Sequence, residues 1–145
     1  MKKLFLLSLF FISILNTTAQ NWLTDINEAK QVASQNNQKI ILVFQGSDWC
    51  APCIKLDREI WSTNEFKTYA DDNYVMLQAD FPRKKKNSLS DAQQEKNNKL
   101  AETYNKNGYF PFVVILDDSG NVLGEMGYLK ISPNEYIAKI NTFSK

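Results

Sequence analysis

The sequence predicts an α/β domain in which a central mixed sheet of four to five strands carries helices on both faces. Two observations lead there. Residues 40–44, Ile-Ile-Leu-Val-Phe, form an unbroken β-branched and aliphatic run, the composition of a strand buried on both sides. Strand and helix patterns then alternate along the chain, ending in a strand hairpin and a last helix. At 145 residues the chain is long enough for one such domain and one core.

Residues 1–19 read as a secretory signal peptide. Lys2 and Lys3 open it, residues 4–15 are apolar, and the small residues Thr17 and Ala19 place cleavage before Gln20. The apolar stretch is shorter than the roughly 20 residues that span a bilayer. An uncleaved membrane anchor is the alternative. The domain proper is then residues 20–145, and its location periplasmic or secreted.

Residues 21–36 have helical spacing, with Trp22, Ile26, Ala29, Val32 and Ala33 on one side and Thr24 or Asp25 as the cap. The strand at 40–44 follows. Residues 45–48 break it, and a helix resumes beyond Trp49 with Ile54, Leu56, Ile60 and Trp61 available for an inner face. Residues 62–64 punctuate and open a short helix at 65–70, with Phe66 and Tyr69 inward. Residues 74–80 read as a second core strand.

Arg83-Lys84-Lys85-Lys86 then reads as a solvated loop; the other reading is a docking surface for an acidic partner. Ser90-Asp91-Ala92-Gln93 has the capping-box pattern and starts a polar helix to about Asn105, with Ala92, Leu100, Ala101 and Tyr104 as its stripe. Asn107-Gly108 stops that helix. Residues 112–116 are a third strand, which turns at 118–120 into a fourth at 121–125. Ser132-Pro133 begins the last helix, with Tyr136, Ile137, Ile140 and Phe143 inward.

Composition is that of an ordinary globular protein, 43% hydrophobic and 12% aromatic. Of 17 basic residues, Lys2 and Lys3 belong to the leader, which leaves 15 against 16 acidic ones, a net charge of −1. Such a balance does not steer toward nucleic acid or an anionic membrane.

Two cysteines exist, Cys50 and Cys53, and both lie where the central strand turns into a helix. Cys50 falls at the helix N-terminus, where unpaired N–H groups and the helix dipole favour an anion. Thiols so placed have pKa values lowered from about 8.5 into the range of roughly 3.5–7.5. Cys53 sits one turn further in and is expected to be the more buried. The pair supplies an exposed attacking thiolate and a resolving thiol, the two parts that thiol–disulfide exchange requires. Zinc usually takes four ligands, and the chain has no histidine and no third cysteine, so a metal site needs a second copy of the chain. No metal and no cofactor is expected.

Trp49-Cys50-Ala51-Pro52-Cys53 after an apolar strand, Gly108-Tyr109-Phe110-Pro111 before another, and the turn at 117–121 together resemble the thioredoxin superfamily. The likeness runs from Trp22 to the C-terminus and is greatest to exported bacterial thioredoxin-like proteins with the pattern Gly46-Ser47-Asp48-Trp49-Cys50. It implies the thioredoxin fold and a thiol–disulfide oxidoreductase with Cys50 as nucleophile and Cys53 as resolving residue. It also implies a cis Pro111 whose backbone meets the substrate chain. Phe110 replaces the smaller residues common in the family beside that groove, and Trp49 is expected half-exposed at its rim. Asp48 is read as surface decoration.

Thioredoxins carry a buried aspartate and a lysine as a proton relay; Phe44 and Met76 stand at the matching positions. Asp57, one turn after Cys53, occupies the spacing of an acid found in the electron-delivering domain of membrane disulfide reductases. Proline at position 52 resembles the reducing members more than the oxidising ones. The expected partners are disulfide-containing proteins and a membrane electron donor, and the chain is expected to be a monomer. A thiol oxidase, or a non-catalytic binding module using residues 83–99, are the alternatives.

Overall fold

Alternation along one strand decides the two layers of the core. In the computed structural model, which describes residues 20–144, β2 (Lys39–Gln45) sends Ile40, Leu42 and Phe44 to one side and Ile41 and Val43 to the other. The signal-peptide reading of residues 1–19 lies outside the described residues. β2 pairs in parallel with β3 (Tyr74–Asp80) and antiparallel with β4 (Phe112–Leu116). It is the centre of a five-stranded sheet ordered β1-β3-β2-β4-β5, with β1 (Trp22–Leu23) and β5 (Val122–Met126) at the edges. A central strand with both faces covered has no solvent side, so its sequence shows no polar alternation.

α1 (Ile26–Asn36) and α4 (Asp91–Tyr104) cover the first side with Ala29, Ala33 and Leu100. α2 (Ala51–Leu56), α3 (Asn64–Asn73) and α5 (Pro133–Thr142) cover the second with Leu56, Phe66, Ile137 and Ile140. The mixed sheet with helices on both faces is therefore as expected.

Several local expectations are corrected. Trp22 belongs to a strand and not to the first helix: Trp22 and Leu23 pair in parallel with Met76 and Leu77. Asp25 then starts α1, its carboxylate accepting the N–H groups of Asn27 and Glu28 at 2.8 and 3.3 Å. Ile54 is 47% exposed and not part of the inner face. Cys53, Leu56 and Ile60 recur at three and four residues and share the buried side, which leaves Ile54 about 100° away from Cys53 around the helix.

The active-site helix also does not continue as an α-helix to Trp61. Asp57–Trp61 is a π-helical turn, closed by a 2.8 Å bond from the Ser62 N–H to the Asp57 carbonyl. The wider turn lets the neighbours Ile60 and Trp61 both point inward. α3 is longer than the expected 65–70, because the Thr63 hydroxyl caps it and its last turn is polar and exposed.

The capping box expected at Ser90 forms only by half. Ser90 Oγ accepts the Gln93 N–H, but the Gln93 side chain donates to the Thr24 carbonyl and to Asn97 Oδ1. Ala92 is exposed, and Asn97, 2% exposed, takes a place in the buried stripe. The reciprocal box is instead at α5, where Ser132 Oγ accepts the Glu135 N–H and the Glu135 carboxylate accepts the Ser132 N–H at 2.8 Å. Replacing Ser132 with alanine is expected to lower stability by about 1 kcal/mol, read as a reduced urea midpoint at constant slope.

Candidate active site

β2 ends at Gln45, and the chain turns over Gly46 into α2. The Cys50 N–H donates to the Gly46 carbonyl at 2.9 Å, closing the turn. A side chain at position 46 has no room: a Cβ there would lie 2.3 Å from Trp49 Cε2. Gly46 thus allows the indole to fold back over the turn. Cys50 is the N-cap of α2 in an extended conformation (φ −89°, ψ 97°), and its sulfur accepts the Cys53 N–H at 3.3 Å. The two cysteines are joined in a disulfide with Cα atoms 5.2 Å apart.

Pro52 occupies the first turn of α2, where no N–H is needed, and is exposed. Cys50 is 4% exposed and Cys53 3%, so Cys50 is nearly as buried as its partner. The expected contrast between an exposed and a buried sulfur is absent in this disulfide-bonded state.

Pro111 follows a cis peptide bond with Phe110, as the resemblance implied. The loop that delivers it is braced by Asn105, 4% exposed, which the sequence reading placed only as a helix end. Asn105 Oδ1 accepts the Tyr109 N–H, and its Nδ2 donates to the Tyr109 carbonyl, each at 2.9 Å. An Asn-x-Asn-Gly run ending a helix was the available signal. Asn105→Ala would remove both hydrogen bonds that fix the Tyr109 backbone, and a loss of about 1–3 kcal/mol is expected in chemical denaturation.

Trp49 and Phe110 meet. Their rings are 5.4 Å apart in an edge-on contact, and Phe81 packs on Phe110 at 5.6 Å. The indole N–H donates to the Phe81 carbonyl at 2.7 Å, and the Arg83 guanidinium lies 3.6 Å from the Trp49 ring centroid. Trp49 is half-buried at the rim, as expected.

Asp48 is not surface decoration. Its carboxylate accepts the N–H groups of Arg83 and Lys84 at 2.9 Å and the Asn87 amide at 2.8 Å. Asp80 does the same from the other side, accepting the Ser47 N–H at 2.9 Å and its hydroxyl at 2.6 Å. Asn97 in turn donates to the Asp80 carbonyl at 2.8 Å. Residues 81–87 are thereby fastened across the active-site turn. A carboxylate two positions before a cysteine, inside a turn, was the only signal of this in the sequence.

The Arg83 N–H, followed by the Asn87 amide and the Lys84 N–H, holds the Asp48 carboxyl below its ordinary 3.8. A lowered folded-state pKa means the anchoring is fully present above 3.8 and is lost as pH falls through the lower folded value. Amide protection of Arg83 and Lys84 is therefore expected to hold from neutral pH through 3.8 and to be lost only below it, as the Asp48 carboxyl protonates. In Asp48→Ala it should be missing across the whole range. Protection that survives in that variant would disprove the anchor.

Asp57 is exposed; its carboxylate accepts the Ser62 hydroxyl at 3.4 Å. Phe44 and Met76 are both buried and sit in opposite layers of the core, so the positions of the thioredoxin relay are apolar here and not adjacent.

Comparison with known proteins agrees with this geometry. Residues 21–118 match the Thioredoxin-like family model. The chain belongs to the thioredoxin-like family. Disulfide bond reductase DsbH of Chlamydia pneumoniae is 36% identical over 118 residues, which are 81% of this chain and 69% of that one. The solved structure of a DsbH oxidoreductase superposes with a TM-score of 0.80 at 32% identity, covering 94% of this chain and 92% of that chain. A thioredoxin from Thermus thermophilus shares the fold at a TM-score of 0.64 and 13% identity, over 88% of each chain. With the Cys50–Cys53 pair at the head of α2, this member of the thioredoxin-like family is a thiol–disulfide oxidoreductase.

Proposed function

We propose that the protein reduces disulfides in exported proteins, with Cys50 as the attacking thiol and Cys53 as the resolving one. The observation that carries the reading is the disulfide pair capping α2 beside the Phe110–Pro111 peptide. In the reduced state the Cys53 N–H that now meets Cys50 Sγ is a donor to the Cys50 thiolate, which favours the anion at neutral pH.

The thiolate attacks one sulfur of a substrate disulfide, the other sulfur leaves as a thiolate and takes a proton, and a mixed disulfide remains on Cys50. The Cys53 thiolate then attacks Cys50 Sγ and releases the second substrate thiol. Two electrons pass to the substrate and the enzyme is left as the Cys50–Cys53 disulfide. Trp49, Phe110 and Pro111 border the groove that receives the substrate chain, and Pro52 holds the first turn of α2. Asp57 is the proposed acceptor of the Cys53 proton, through solvent. Asp57→Asn should slow decay of the mixed disulfide and shift its pH profile without moving the redox midpoint; an unchanged profile removes Asp57 from the mechanism.

Pro52 between the cysteines and the likeness to a protein named a disulfide bond reductase support the reducing direction. The signal-peptide reading places the work outside the cytoplasm, in the chain beginning at Gln20, where a membrane electron donor re-reduces the pair. The test is a redox titration of that chain in graded thiol–disulfide buffers, followed by alkylation. A midpoint near the thioredoxin value of about −270 mV is expected; one near −120 mV would make the protein an oxidase.

A further inference from the structure

We propose that residues 83–86 form a charged reading surface beside the dithiol, fitted to client proteins whose target disulfide is flanked by acidic residues. Arg83, Lys84, Lys85 and Lys86 are consecutive and exposed. Among the described residues, none of the ion pairs engages them. Outside the leader and this run the chain carries 11 basic against 16 acidic residues, so the run is a local concentration of positive charge on an otherwise acidic chain.

Its position is what turns charge into specificity. Asp48 grips the Arg83 and Lys84 backbone and the Asn87 side chain, and Asp48 is separated from Cys50 only by Trp49. The Trp49 indole N–H donates to the Phe81 carbonyl, and the Arg83 guanidinium lies over the indole ring. The short 3₁₀ turn Lys85–Asn87 completes the strap. Two carboxylates, Asp48 and Asp80, border the strap and accept the amides and hydroxyl that fasten it; the Arg83 guanidinium is exposed over Trp49, and the Lys84, Lys85 and Lys86 side chains are exposed and in no ion pair among the described residues. A substrate chain running past Trp49 and Phe110 to reach Cys50 would pass along this row. Opposite charge there raises the encounter rate and fixes the register of the docked chain.

The turnover part rests on the reductase reading, so the test has two arms. In the first, three disulfide-bonded peptides of equal length, flanked by Asp, Ser or Lys residues, are reduced by the wild-type dithiol. The acidic peptide should show a kcat/KM about tenfold above the neutral one at low ionic strength, shrinking to within about twofold at 0.5 M salt. In a Lys84→Gln, Lys85→Gln, Lys86→Gln variant the acidic-to-neutral ratio should fall to about one. Equal rates in the wild type, or a preference that survives in the variant, overturn the proposal.

The second arm uses Cys50→Ser, Cys53→Ser protein and measures binding of the same peptides by calorimetry, which requires no turnover. Tighter, salt-sensitive binding of the acidic peptide supports the surface, and indifference to flank charge sinks it. Failure of the wild type to reduce any of the three would refute the reductase reading alone and leave the binding arm to decide this one.

Discussion

Cys50→Ser is expected to abolish disulfide reduction, lowering the rate at least about 10³-fold to the level of the uncatalysed thiol reaction. A hydroxyl at the N-cap of α2 still accepts the Cys53 N–H, so the helix start and the fold should be retained, with little change in thermal midpoint. Cys53→Ala should behave differently. Its Cys50 still attacks, but the mixed disulfide has no resolving thiol, so a covalent complex with the substrate should accumulate and be visible on a non-reducing gel. The two variants separate the roles. If Cys53→Ala is inert and Cys50→Ser accumulates the complex, the assignment is reversed; if both turn over normally, the dithiol is not the reactive centre.

Trp61→Ala is expected to have the largest effect on stability, about 3–5 kcal/mol. Trp61 is 1% exposed at the end of the π-helical turn. It packs edge-on against Phe66 at 4.6 Å, Tyr136 at 5.3 Å and Trp22 at 6.2 Å, and so ties α3, α5 and the edge strand β1 to one ring. Truncation would remove the transfer energy of the indole and leave a cavity between rigid neighbours. For a domain of this size a midpoint drop of roughly 10–20 °C follows. Calorimetry decides it, and a loss under about 1 kcal/mol would mean the layer collapses around the gap. Tyr136 offers a second view of the same layer: burial pushes its phenol well above 10.0, and its hydroxyl donates to the Gly127 carbonyl at 2.9 Å. It should therefore stay un-ionised through any alkaline range in which the domain remains folded.

The residues that were legible early share one property: their signal is local. The run at 40–44 has no polar position because it is the central strand, and that alone locates the sheet. Cys50-Ala51-Pro52-Cys53 states its chemistry in four letters, and Ser132-Pro133 followed by Glu135 states a helix start. What was misjudged depended on partners far away in sequence. Trp22 looks helical by spacing, yet two residues of parallel pairing with Met76 and Leu77 outweigh a pattern that weak. Ile54 looks like a core residue, but Cys53 and Leu56 had already set which side of the helix is buried.

The sequence by itself determined the class of fold, the position of the dithiol at a helix N-terminus and the family. The fold class follows from the alternation of strand and helix patterns, the place of the dithiol from the strand-to-helix turn, and the family from the resemblance carried by residues 46–53, 108–111 and 117–121. Only the tertiary structure decided what surrounds the sulfurs. Asp48 reaches residues 83–87, Trp49 reaches Phe81 and Phe110, and Asn105 shapes the loop before Pro111. A polar side chain in a turn has many partners within reach of an unfolded chain. Which of them it takes is settled when the sheet brings the ends of β2, β3 and β4 to one edge.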